Sequence, residues 1–219
     1  MNTIHDLYDL SHTLAADYLS GFTYPWEALK GIKELILALG PKLDEDFVQV
    51  SAQVWVHKTA KVAPTAYLGA PCIIGAGTEV RHCAFIRGSA LVGESCVVGN
   101  TVELKNVILF DGVQTPHYNY VGDSILGYKA HMGAGSVTSN VKSDKSLVVI
   151  HGVEDIPTGL KKVGAMLGDY VEVGCNSVLN PGTVVGRNSN VYPLSSVRGV
   201  IPANSIYKAS GNIAAKRDS

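Results

Sequence analysis

Residues 68–104 read LGAPCIIGAGTEVRHCAFIRGSALVGESCVVGNTVEL, and an aliphatic side chain returns at every sixth position: Leu68, Ile74, Val80, Ile86, Val92, Val98 and Leu104. The same phase begins upstream at Val56 and Val62. Two places before each member sits a small or slender residue, running Val54, Ala60, Ala66, Cys72, Thr78, Ala84, Ala90, Cys96 and Val102. Helices repeat near 3.6 residues and half-buried strands at 2, so a period of six fits neither. It marks a solenoid whose short strands and turns recur with each hexad. The phase returns at Leu126 and Met132, and again at Leu167, Val173, Leu179, Val185, Val191 and Val197. A narrow interior holds one aliphatic and one small side chain per hexad; two large ones would not pack at native density. The expected fold is mainly β, a parallel β-helix of hexapeptide repeats. If three hexads make a coil, residues 18 apart lie on neighbouring coils, about 4.8 Å apart.

The 219 residues suit one domain, or one with a small extension. Net charge is -1 and the basic residues are scattered, which argues against a nucleic-acid partner. The four cysteines have no metal-ligand or CxxC spacing, and no structural metal is expected. Cys72 and Cys96 fall on small inward positions and read as buried thiols. Residues His5 to Asp9 interrupt any apolar run that could serve as a signal peptide, and no stretch is long and apolar enough to span a bilayer. The expected setting is the reduced cytoplasm, away from membranes.

Residues 1–50 follow another rhythm. Leu7, Leu10, Leu14 and Tyr18 recur at helical spacing, with Thr3 and Asp6 placed to cap the start. A second helix opens at Pro25, carries Trp26, Leu29, Ile32, Ile36 and Leu39 on one stripe, and stops at Gly40-Pro41. This helical extension is expected to cap one end of the solenoid, where core and backbone would otherwise be open. Residues 51–207 form the β-helix. Its rhythm fails after Leu104, which suggests an excursion near 106–122. A second excursion near 139–162 is hairpin-like, with a strand-like return from Leu160 to Met166, and residues 208–219 read as a polar, frayed tail.

Within the coils, Arg87 and Lys105 are 18 apart and should stack. Two stacked cations repel unless an anion lies beside them. A substrate phosphate is one such anion, and two solvated surface cations are the other reading.

These residues resemble hexapeptide-repeat acyltransferases, and most closely the acetyltransferase part of bifunctional sugar-1-phosphate nucleotidylyltransferase/acetyltransferases. Val98 to Asn106 (VGNTVELKN) is similar to that family's IGNFVEIKN, Pro116 to Gly127 (PHYNYVGDSILG) to its HLxYxGDxxIG, and Gly133 to Asn140 (GAGSVTSN) to its GAGTxTxN. The stretch from Tyr24 to Leu29 (YPWEAL) resembles the PWDLL linker ahead of the family's β-helix, and the excursion after Lys145 resembles an archaeal insertion. The resemblance implies a left-handed coil and a homotrimer with active sites between subunits. Ordinary crossover preference would have given the opposite hand. No GxGTRLxP loop occurs, so the chain is not expected to make nucleotide sugars by itself.

The activity implied is acetyl-CoA-dependent N-acetylation of an amino-sugar phosphate such as glucosamine-1-phosphate or galactosamine-1-phosphate. An amine attacking a thioester sheds a proton, which a neutral imidazole can accept. By the resemblance His117 is that base, and the Ala134 N–H steadies the oxyanion. Arg87 and Lys105 hold the phosphate, Tyr120 and Asn140 orient the sugar, and Lys145 contacts a substrate or is a solvated loop charge. His131 stands where the bacterial enzyme has a sugar-binding asparagine. Cys175 and Pro193 replace smaller residues beside the coenzyme channel. Two other classes share the fold: a non-catalytic binding or assembly module, and a metal hydro-lyase of the γ-carbonic anhydrase type. The latter needs three converging histidines, and His82, His117 and His131 are not spaced for that.

Overall fold

A computed structural model describes residues 2–208 and 212–216. The fold is a left-handed parallel β-helix. Its strands stack into three walls. Wall A runs through Val54–His57, Cys72–Ile74, Ala90–Val92, Ala165–Leu167 and Thr183–Val185. Wall B runs through Lys61–Val62, Glu79–Val80, Val97–Asn100, Gln114–His117, His131–Met132, Glu172–Val173 and Asn190–Val191. Wall C holds Tyr67–Leu68, Phe85–Ile86, Val137–Thr138, Val178–Leu179 and Ser196–Val197. Two longer strands, Glu103–Leu109 and Tyr120–Leu126, turn the corner from wall C to wall A. The six-spaced aliphatics point inward and are buried from Ile74 onward, with the small residues beside them. Corners are tight enough that non-glycine residues take positive φ, among them Ser89 (51°), Ser95 (52°), Asn106 (56°) and Asp123 (47°).

No excursion exists at 106–122. Coil partners that are 18 apart, as in Phe85 with Glu103, become 17 apart in Ala90 with Val107, Val97 with Gln114 and Glu103 with Tyr120. Each coil loses one corner residue, so the inward position moves from Leu104 to Leu109, and from Val121 to Leu126. A one-residue deletion shifts the phase of every later position without breaking the ladder. The second excursion is present: partners jump to 41 apart, as in His131 with Glu172. It contains a hairpin of Val149–Ile150 with Ile156–Pro157, and the chain rejoins wall A at Ala165 rather than Leu160.

The helical segment does not cap an end. It lies along wall A, because that wall is apolar on both faces. Ile73, Leu91, Ile108, Ile125 and Met166 point outward there, yet each is at most 1% exposed. Ile32 and Ile36 are buried in the same apolar cluster, and their helix contacts the wall A strands. The Tyr8 hydroxyl donates to the Ile125 carbonyl at 3.3 Å, and the Asp111 N–H donates to the His12 carbonyl at 3.0 Å. Asp169, buried at the next corner, accepts from the Asp9 N–H at 2.7 Å and pairs with Arg187. One apolar cluster therefore runs from Ile4 to Tyr207 without a break near residue 50.

The segment's own helices are shorter than the spacing predicts. Thr3 and Asp6 do form a reciprocal capping box, but the first stripe splits into Ile4–Leu7, a 3-10 turn at Leu10–His12, and Ala16–Ser20. The second is a 3-10 helix over Pro25–Gly31 that continues as an α-helix over Ile32–Leu39. What meets the first coil is a strand, Phe47–Ser51, antiparallel to Val54–His57. The tail also departs from expectation. Ile213–Ala215 is a strand paired antiparallel with Ser205–Tyr207, while residues 209–211 and 217–219 of that tail lie outside the described residues.

Burial pushes the Cys72 and Cys96 thiols up to about 12, whereas Cys83 and Cys175 are exposed. A colorimetric thiol titration at pH 8 should therefore find two fast thiols in the native protein and four after denaturation. Four fast thiols would contradict the inward placement of Cys72 and Cys96. No helix among the described residues is long and apolar enough to cross a membrane.

Candidate functional site

Two groups of the expected site residues assemble on opposite edges of wall C. The first is a ladder at the corner between walls B and C. There the N–H groups of Tyr118, Gly135, Asn176 and Leu194 donate to the carbonyls of Asn100, His117, Ala134 and Cys175, at 2.8–3.0 Å. His117, Ala134, Cys175 and Pro193 thus occupy equivalent places on consecutive coils. His117 follows from the local backbone: it pairs with Asn100 on the coil before, and its N–H donates to Asn119 Oδ1 at 3.2 Å. Asn119 is buried and its amide donates to the Gly133 carbonyl at 2.8 Å, tying the His117 turn to the Ala134 turn. The His117 imidazole is exposed, with no hydrogen-bond partner among the described residues. No protein acceptor is bonded to the Ala134 N–H there either.

The second group gathers at the corner between walls C and A, around a residue the sequence reading passed over. Asp123 is 4% exposed. Its carboxylate accepts from Lys105 Nζ at 2.8 and 3.1 Å, from Asn106 Nδ2 at 2.9 Å and from Asn140 Nδ2 at 2.6 Å. Asn140 Nδ2 also donates to the Tyr120 hydroxyl at 3.2 Å. Arg87 donates to Glu103 at 2.8 Å. The stacked cations Arg87 and Lys105 therefore have their anions within the protein, one carboxylate each. Burial, with the Asp123 charge beside it, pushes the Tyr120 phenol above its ordinary range. Glu103 bonded to Arg87 pushes the guanidinium up as well.

Gly122 makes room for this cluster. A Cβ there would lie 2.4 Å from the Tyr120 hydroxyl and 2.9 Å from Asn140 Nδ2. Gly122→Ala should therefore displace both groups. Each hydrogen bond lost there should cost about 1 kcal/mol, read as a lower melting temperature. An unchanged melting temperature would mean that neither group moves.

Two expected site residues lie elsewhere. His131 faces outward on wall B and its Nδ1 contacts Glu172 at 2.7 Å. It lines a groove of about 500 Å³ with Cys175, Asn190, Tyr192 and Pro193, so it sits with the second half of the ladder and not with Tyr120 and Asn140. Lys145 is exposed at the start of the excursion, at φ 58°, and belongs to neither group.

No protein-family model matches the chain. A bifunctional sugar-1-phosphate nucleotidylyltransferase/acetyltransferase of Sulfurisphaera tokodaii is 28% identical over 150 residues, 68% of this chain and 37% of that protein. The bifunctional protein GlmU of Methanococcus maripaludis is 29% identical over 176 residues, 78% of this chain and 43% of its own length. The chain is a hexapeptide-repeat relative of these bifunctional proteins. GlmU of a Nostoc species is 32% identical over 77% of this chain and 32% of its own length. The chain thus spans well under half of each. Among solved structures, the N-acyltransferase AntD from Bacillus cereus, in complex with dTDP and coenzyme A, superposes with a TM-score of 0.40 at 17% identity. That superposition covers 74% of this chain and 83% of AntD.

Proposed function

We propose that this protein is an acetyl-CoA-dependent N-acetyltransferase acting on an amino-sugar phosphate, with His117 as general base. The observation that carries the reading is the ladder. An unpartnered imidazole and an unpartnered backbone N–H, His117 and Ala134, stand on adjacent coils, and Cys175 and Pro193 continue the same line along a groove. A base beside an oxyanion donor is what acyl transfer to an amine requires. The amine nitrogen bonds to the thioester carbonyl carbon while His117 takes the amine proton. The Ala134 N–H holds the oxyanion, which collapses as the C–S bond breaks. The thiolate of coenzyme A leaves and takes the proton from the imidazolium.

In this reading Tyr120, Asn140, Arg87 and Lys105 position the acceptor across wall C, and the groove at Cys175, Pro193 and His131 takes part of the coenzyme. Lys145 reaches a substrate from the excursion. Three copies complete the sites at shared walls, in the cytoplasm. A second reading, a non-catalytic binding module, draws support from the internal pairing of Arg87 with Glu103 and Lys105 with Asp123, which leaves neither cation in need of a phosphate.

A thiol-release assay separates the two. Purified protein with acetyl-CoA is offered glucosamine-1-phosphate, galactosamine-1-phosphate and nucleotide-linked amino sugars in turn. Release with one acceptor establishes the transferase and names its substrate. Silence across the panel, with no coenzyme A heat by calorimetry, overturns the transferase reading in favour of the module.

A further inference from the structure

We infer that Asp123 is the positioning residue of the acceptor site, and that it fixes which atoms of Asn140, Tyr120 and Lys105 are left to face a ligand. The inference deepens the proposed function and rests on it for the identity of the ligand, but its structural half stands on hydrogen-bond counting alone. An ionised carboxylate has about four lone-pair sites and no donor. All four are filled here: Oδ1 accepts from Lys105 at 2.8 Å and Asn106 at 2.9 Å, Oδ2 from Lys105 at 3.1 Å and Asn140 at 2.6 Å. A saturated, buried carboxylate has nothing left with which to touch substrate. Its role is to orient Lys105, Asn106 and Asn140.

The consequences run outward group by group. An amide can be placed two ways round, and its partners decide which. Asn140 faces a carboxylate oxygen, which only its NH2 can satisfy, and the second N–H goes to the Tyr120 oxygen. Asn140 Oδ1 is left turned away, with no partner among the described residues, while the backbone carbonyl accepts from the Val163 N–H at 3.0 Å. Because Tyr120 accepts from Asn140, its own O–H remains free to donate. The Lys105 ammonium has three N–H groups, and its two Asp123 contacts go to the two oxygens of one carboxylate, which a single bifurcated N–H spans, so the others remain. The site therefore presents one acceptor, Asn140 Oδ1, beside the Tyr120 O–H and the remaining Lys105 N–H groups as donors. A ligand that fits offers a hydroxyl or amine N–H to Asn140 and anionic or hydroxyl oxygens to Tyr120 and Lys105. An amino sugar carrying a phosphate has both.

The same carboxylate joins the site to the N-terminal segment. Asn106, in the left-handed region at φ 56°, uses its amide twice, donating to Asp123 and to the Leu29 carbonyl at 3.1 Å. The Asp123 carbonyl accepts from the Gly164 N–H at 2.8 Å, where the excursion rejoins wall A. Helical segment, coil and excursion thus meet around one residue.

Asp123→Asn is the test. The new amide puts an NH2 where an acceptor was, so Asn140 must flip to satisfy it and the pattern shown to the ligand inverts. In the full-length protein, acceptor KM should rise at least about tenfold for the better of glucosamine-1-phosphate and galactosamine-1-phosphate. The KM for acetyl-CoA should stay within about twofold. A merely structural role would shift both KM values together with the melting temperature.

Side-chain amide NMR provides the readout that needs no activity. The Asn140 NH2 resonance should show the low-field shift of a carboxylate-bound amide in the wild-type protein and lose it in Asp123→Asn. If the wild-type protein acetylates nothing but the Asn140 resonance behaves this way, the proposed function fails and the positioning role stands. An Asn140 resonance that ignores the substitution, or an acceptor KM that does not move in an active enzyme, overturns the inference.

Discussion

Replacing His117 by alanine is expected to lower kcat by about 10²–10⁴-fold, the span general acid–base catalysis ordinarily supplies. The fold should not register the change. The imidazole is exposed and has no hydrogen-bond partner among the described residues, and the bonds that shape its turn are made by its backbone. Surface substitutions of this kind alter stability by about 0.5 kcal/mol or less. Calorimetric binding of acetyl-CoA should likewise persist, since Cys175 and Pro193 are untouched. The diagnostic result is thus transfer lost while melting temperature and coenzyme affinity are kept. Residual turnover is expected, because the Ala134 N–H and the Asp123 cluster still hold and polarise the reactants. Normal transfer by His117→Ala would assign the base elsewhere on the ladder or leave the amine to lose its proton to water.

Comparing sequence with structure shows where the hexad pattern is informative and where it is silent. Inward positions are legible because each repeat poses the same packing problem: Ile74, Ile86, Val98 and Leu167 all solve it with an aliphatic over a small residue. The pattern fails at Leu104 because a solenoid tolerates a shortened corner. Leu109 and Leu126 keep their ladders with one residue fewer, and a strict period of six reads that as a break.

Asp123 is hidden from the period for the same reason. The shortened coil puts Gly122 opposite Lys105, so Asp123 reaches the ammonium from the corner position beyond it, which a fixed spacing does not single out. His117 and Ala134 came from a family likeness rather than from periodicity. That they share a ladder needs the 17-residue coil, which no residue type announces. The flanking helices were readable, but their docking place was not, although wall A carried the signal. Every third hexad places an aliphatic at the outward position as well, as in CII at 72–74, ALV at 90–92 and AML at 165–167. Strands buried on both faces read as continuous apolar runs.

That double burial sets the second large effect. Ile108→Ala is expected to cost about 2–5 kcal/mol, the range for truncating a fully buried aliphatic side chain. Ile108 points out of the coil, so a free-standing β-helix would lose almost nothing there. Here it is fully buried between the wall and the helical segment, flanked along the wall by Leu91 and Ile125. Truncation leaves a void that the strand ladder on one side and the helix on the other cannot both close. The matching control is Val178→Ala, also outward but on wall C and 39% exposed, which should cost about 1 kcal/mol or less.

For a chain of this length each kcal/mol shifts the melting temperature by about 2–4 °C, so the two variants separate clearly in one thermal scan. Equal, small shifts would mean that the helical segment rests on the coil without sharing its core. A large shift for Ile108→Ala alone makes the segment part of the fold, and with it the Leu29 carbonyl that anchors Asn106 beneath the acceptor site.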